Sequence, residues 1–142
     1  MGCRKESKAM KQEFQDKFQM TCIFDEEGVI FSNAARDVYF PYGCLDSLNM
    51  SFLGVIQAVS RVQVCCFTAG KADKAELKEW IRKAKEAMKT APAADPILLD
   101  LSKIQVDAGL PAEEQLKQYK AHYVQGMLSR DQFNLKKRLL TR

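Results

Sequence analysis

Apolar positions change rhythm along this chain, and each rhythm predicts a different element. In residues 5–18, Met10, Phe14 and Phe18 recur at every fourth position among Lys, Gln, Glu and Asp. That spacing predicts a short amphipathic helix with a narrow apolar stripe. From residue 20 to residue 69 the apolar residues come in short β-branched and aromatic runs. Turn-forming residues break these runs about every ten positions, the rhythm of antiparallel strands. The segments 20–24, 29–32, 37–42, 45–52, 55–60 and 62–68 are the strand candidates. Leu48, Met50 and Phe52 are expected to share one strand face, because side chains alternate along a strand. Asp25-Glu26-Glu27-Gly28 predicts a hairpin turn in which Gly28 supplies a positive φ. Pro41 places its strand at an edge or a bulge.

Residues 73–90 predict an amphipathic helix. Leu77, Trp80, Ile81, Ala84 and Met88 make one continuous stripe, Asp73 and Glu76 stand at capping-box spacing, and Pro92 ends the pattern. Trp80 is expected to anchor the stripe on a sheet. Residues 92–110 read as a linker, with Pro92, Pro96 and Gly109 as breaks and an apolar stretch at 97–106 that has no clear periodicity. Residues 111–142 predict a helical hairpin. Pro111 suits a first turn, and Glu113 and Glu114 complement the dipole there. Leu116, Tyr119, Tyr123 and Met127 recur every three or four residues, and Gly126 fits a left-handed helix end. Ser129 and Gln132 have capping-box spacing ahead of a second helix, whose inner side is lined by Phe133, Lys136, Leu139 and Leu140. Helices this short are marginal alone, so the hairpin needs a surface to pack on.

Composition narrows the classes. The chain has 142 residues, 46% of them hydrophobic, which excludes a disordered chain on composition. No apolar run approaches the roughly 20 residues of a membrane-spanning helix. Lys and Arg number 22 against 18 Asp and Glu, and the two signs alternate, so a nucleic-acid interface is not expected. The basic residues that do cluster are Arg4, Lys5, Lys8 and Lys11 at one end and Lys136, Lys137, Arg138 and Arg142 at the other. Cys3, Cys22, Cys44, Cys65 and Cys66 show no Cys-x-x-Cys spacing. They read as buried thiols of a reducing compartment, with no metal site and no cofactor. The first twenty residues are charged throughout, so the cytoplasm is the expected location. Met1-Gly2-Cys3 opens like an acylation signal, but Glu6 stands where Ser or Thr is wanted. His122, the single histidine, has no nucleophile that the sequence pairs with it, so no catalytic residue is expected.

The C-terminal residues Gln115-Leu116-Lys117-Gln118-Tyr119, then Gly126-Met127-Leu128-Ser129-Arg130-Asp131-Gln132-Phe133, then Lys136-Lys137-Arg138-Leu139-Leu140, resemble the SHOCT domain, a short two-helix module. The chain departs from that pattern in Tyr119 and Tyr123, where Leu is commoner, and in Gln132, where Glu is commoner. The resemblance implies oligomerisation or docking. Residues 37–45, Leu53-Gly54-Val55-Ile56 and the helix with Ala84-Lys85 are similar to the bacterial pleckstrin-homology-like domain, whose full fold has seven strands.

The expected architecture is therefore α+β. An N-terminal helix (1–18) precedes a small antiparallel sheet or barrel (19–91) closed by the helix 73–90. A linker (92–110) then leads to the hairpin (111–142). The expected function is non-catalytic interaction, with a second copy of the chain as partner. Leu116, Tyr119, Tyr123, Met127, Phe133 and Leu139 are the expected contact residues. The alternative expectation is a peripheral membrane or acidic-ligand binder that uses the basic N-terminal helix and the sheet domain.

Overall fold

The computed structural model describes residues 12–16 and 18–141. They form an α+β structure with antiparallel strand pairings and no closed barrel among the described residues. The chain divides into two compact units.

Unit 1 runs through Asn33 and resumes over Val38–Pro96. Its first sheet contains β1 (Gln12–Gln15), β2 (Thr21–Phe24), β3 (Gly28–Ser32) and β4 (Arg36–Pro41), in that order. A second sheet follows as β5 (Leu45–Met50), β6 (Val55–Ser60) and β7 (Val64–Thr68). Helix α1 (Lys74–Thr90) comes after both. Strand β1 corrects the expected N-terminal helix where the two overlap. A spacing of four is a multiple of the strand period as well as close to the helical one. Phe14 is buried between exposed Glu13 and Gln15, opposite Cys22 of β2. The rest of that expected helix, residues 5–11 and Lys17, lies outside the described residues.

The core of unit 1 is aromatic and aliphatic. Phe24, Phe31, Phe40 and Phe67 are fully buried with Leu48, Ile56 and Leu77. Helix α1 turns Leu77, Ile81 and Ala84 inward, as its stripe predicts. Trp80 is half-buried and stacks on Phe24 at 6.1 Å, with the Lys83 ammonium 4.6 Å from its ring centre.

Four local expectations change. Asp73 makes no side-chain cap, because a 3-10 turn over Lys71–Asp73 precedes the helix and its Asp73 N–H is bonded to the Gly70 carbonyl at 2.9 Å. Gly28 is not in the left-handed region, which among the described glycines holds Gly54 and Gly126. Its turn is shaped instead by the Asp25 carboxylate, which accepts the amides of Glu27 and Gly28 at 2.8 Å each. Glycine is required there by crowding, since a β-carbon would meet the Phe40 carbonyl and lie 2.7 Å from the Tyr39 ring. Leu48, Met50 and Phe52 do not share a strand face. Strand β5 ends at Met50, and Phe52 stands 87% exposed in the following turn. Finally, the cysteines are not uniformly buried. Cys22 and Cys65 are buried and Cys44 is half-buried, but Cys66 is exposed. Cys3 lies outside the described residues.

Unit 2 comprises Ala34–Asp37 and the chain from Ile97 onward. The expected linker carries real structure, namely β8 (Ile97–Asp100) and a 3-10 turn over Leu101–Lys103. Within the unit, the Leu101 N–H donates to the Ala35 carbonyl at 2.9 Å. Helices α2 (Ala112–Val124) and α3 (Arg130–Leu140) form the hairpin. Leu99, Tyr119 and Leu128 are its buried centre, packed by Leu101, Ile104, Val106, Tyr123, Phe133 and Leu140.

Candidate interaction surface of the helical hairpin

The turn between α2 and α3 is built from local chemistry. Gly126 has a φ of +83°, which only glycine adopts without strain. Its N–H donates to the Tyr123 carbonyl at 3.0 Å, and the Met127 N–H reaches back to the His122 carbonyl at 2.9 Å. This pair of bonds is the Schellman arrangement, and it satisfies carbonyls that a helix end leaves open. Ser129 and Gln132 then form the expected capping box. The Gln132 N–H donates to Ser129 Oγ at 3.1 Å, and the Ser129 N–H donates to Gln132 Oε1 at 2.8 Å.

Gln132 also does something its spacing does not announce. Its Nε2 donates to the Leu98 carbonyl at 2.8 Å, tying the start of α3 to β8. A glutamate could supply the box but not this donor. The departure from the SHOCT-like pattern at this position is thus matched by a bond that only the amide can make.

The hairpin interior holds one buried ion pair. Asp37 is completely buried, Lys136 is 9% exposed, and Nζ lies 3.0 Å from Oδ2. The ammonium also sits 5.2 Å from the Tyr119 ring centre. Burial pushes the Tyr119 phenol above its ordinary range, with Lys136 pulling it back and Asp37 adding to the rise. Helical spacing places Lys136 on the inner side of α3, but its partner lies 99 residues away and no local pattern points to it.

The six expected contact residues therefore separate. Tyr119 and Leu139 are buried in their own chain, while Leu116, Tyr123 and Phe133 are half-buried. Tyr123 and Phe133 stack on each other at 5.2 Å with an 11° interplanar angle. Met127 alone of the six is exposed, at 51%, and Val124, which the stripe does not include, is 75% exposed beside it in sequence. Leu98 of β8 is a further exposed aliphatic of this unit.

Chemistry-bearing groups are engaged elsewhere. His122 Nε2 lies 3.0 Å from the Gln105 carbonyl, and Nδ1 is 3.4 Å from the Met127 sulfur. In unit 1 a cleft of about 600 Å³ is lined by Cys44, Asp46, Ser60, Arg61 and Asp95, among others. Burial, with Asp95 and Asp46, raises the Cys44 thiol to about 11, so it stays protonated at neutral pH. The Ser60 hydroxyl donates to the Gln63 carbonyl at 3.0 Å and accepts its amide at 3.1 Å. Among the described residues no group of three His, Cys, Asp or Glu converges as a metal site. None of the described helices is long and apolar enough to cross a membrane.

No family model, no curated protein and no solved structure matches this chain.

Proposed function

We propose that the chain is a non-catalytic interaction module, a pleckstrin-homology-like body followed by a SHOCT-like hairpin, which self-associates. Four strands, then three, then an amphipathic helix support the first part of this reading. Strand β1, which helical spacing hides, brings the strands of unit 1 to seven. The observation that carries self-association is the apolar pair Val124 and Met127 at the tip of the hairpin, 75% and 51% exposed. A rigid cap presents these side chains, and water is a poor neighbour for them.

Light scattering across micromolar concentrations tests this. The chain should be larger than a monomer, and the double variant Val124→Asp/Met127→Asp should shift it toward monomer with its circular dichroism unchanged. A strict monomer at all concentrations would end the reading. Tyr123→Asp is the wrong probe, because it breaks the Tyr123–Phe133 stack and damages the fold as well.

A peripheral membrane role is the second reading, and one feature favours it. Phe52 and Leu53, 87% and 70% exposed, form the tip of the β5–β6 turn, and the Lys74 ammonium donates to the Phe52 carbonyl at 3.1 Å. An exposed apolar tip beside an ammonium group suits an anionic bilayer surface. Co-sedimentation with phosphatidylserine vesicles at low salt, lost in Phe52→Ser/Leu53→Ser, is the expected result. No sedimentation at low salt rejects it.

A further inference from the structure

Strand β7 is an edge of the β5-β6-β7 sheet, with no strand beyond it among the described residues. Edge strands expose backbone groups that template pairing, and proteins commonly guard them with charge, proline or a bulge. The strand itself carries none of the three, because residues 62–69 read Val-Gln-Val-Cys-Cys-Phe-Thr-Ala, and a charge reaches this edge at its Thr68 end, from Asp16. Val62 is 71% exposed, Val64 is 45% exposed, and Cys66 is exposed.

The hydrogen-bond pattern shows which groups face outward. The Ser60 N–H donates to the Gln63 carbonyl at 2.9 Å, and the Ala69 N–H donates to the Gly54 carbonyl at 2.7 Å. Alternation along the β6–β7 register then turns the backbone groups of Cys65 and Phe67 toward β6, and those of Val64, Cys66 and Thr68 away from it. The Thr68 N–H donates to Asp16 Oδ2 at 3.5 Å. The Val64 carbonyl is met by Gln63 Nε2 at 3.2 Å, an exposed contact that an arriving strand displaces. The outward backbone groups of Val64 and Cys66 are therefore the ones that meet no other strand among the described residues.

We propose that this edge pairs with the same edge of a second copy of the chain. The occupant must be an extended strand, because only another backbone matches alternating N–H and C=O groups. A second copy fits because the segment is uncharged, so no like charges oppose each other in a two-fold pair. A two-fold axis at Cys65 sets Val64 opposite Cys66 of the second copy, and Cys66 opposite its Val64. That register uses these outward groups and leaves the Thr68 amide with Asp16. The surface lies in unit 1 and is separate from the hairpin tip.

Cross-linking reads the register directly. In this pairing Val64 and the second copy's Cys66 are hydrogen-bonded partners, with Cα atoms about 5.5 Å apart. That separation lies within disulfide range. In a Cys3→Ser/Cys65→Ala background, which also removes the cysteine pair that the two-fold axis sets face to face about 4.5 Å apart, Val64→Cys should give a covalent dimer on a non-reducing gel after mild oxidation. Adding Cys66→Ser should abolish it. The background protein alone, whose two Cys66 thiols are diagonal, should stay uncross-linked. Val64→Lys should raise the dimer dissociation constant at least about tenfold with circular dichroism unchanged, since the position is solvent-facing. An oligomer that survives Val64→Lys and gives no cross-link overturns this surface while leaving self-association through the hairpin standing. A strict monomer overturns both.

Discussion

At the scale of single residues, the Asp37–Lys136 pair is the most consequential contact of unit 2. A buried charge that loses its partner typically costs about 3–5 kcal/mol. Lys136→Ala should therefore lower the unfolding free energy measured in urea by about that amount. Asp37→Asn/Lys136→Met should recover at least half of the loss, because removing both charges also removes the desolvation penalty. The cysteines give a pH signature. Cys44 holds its proton to about 11 in the folded chain against an ordinary 9.0, chiefly because it is buried. Between those values the unfolded chain binds fewer protons, so stability falls as pH rises. Below 9 the contribution is complete. Cys44→Ala should therefore flatten the fall in Tm from pH 9 to 11 without removing it, because Cys22 and Tyr42 are raised in the same direction by burial. Little of this was legible in the residues themselves. Strand alternation sends adjacent Cys65 and Cys66 to opposite faces, but their letters do not say that only the face of Cys65 is covered.

At the scale of elements, legibility followed the strength of the pattern. Helix α1 stands where its stripe places it and the turn between α2 and α3 where its caps do, because each is determined by residues within a few positions of one another. Strand β1 did not, since Met10, Phe14 and Phe18 satisfy two periods at once. Strand β8 was hidden because its four residues have no period to show. The Ser129–Gln132 box was visible and the Asp73–Glu76 box was not formed, although both have the same spacing. What differs is the 3-10 turn ahead of α1, which already engages the Asp73 N–H that a capping box would use. Gln132→Glu should separate the two jobs of that side chain. It keeps the box but sets a carboxylate against the Leu98 carbonyl, for an expected loss of about 0.5–1.5 kcal/mol by chemical denaturation, since the bond is exposed. Gly126→Ala should cost about 1–2 kcal/mol through its left-handed backbone alone, with no clash, because a β-carbon there has open space.

At the scale of the whole molecule, periodicity marked which faces are apolar but not what covers them. Tyr119, Tyr123 and Phe133 carry the same helical signal as Met127, yet the first three pack within unit 2 and the last meets water. A one-dimensional pattern contains no information on that division, which depends on β8 and on residues 34–37. The exposed apolar turns of unit 1 are a separate matter, because they support no core. Phe52→Ser/Leu53→Ser should change the stability by no more than about 0.5 kcal/mol in thermal unfolding, whatever it does to binding.

Strand β4 has its first residues in one unit and the rest in the other. Modules that travel between proteins as C-terminal cassettes are cut once and carried whole. This one cannot be excised that way. A fragment starting at Ile97 takes Lys136 without Asp37, and the Leu101 amide without the Ala35 carbonyl. Any graft of the hairpin must bring residues 34–37 with it as a second piece of chain.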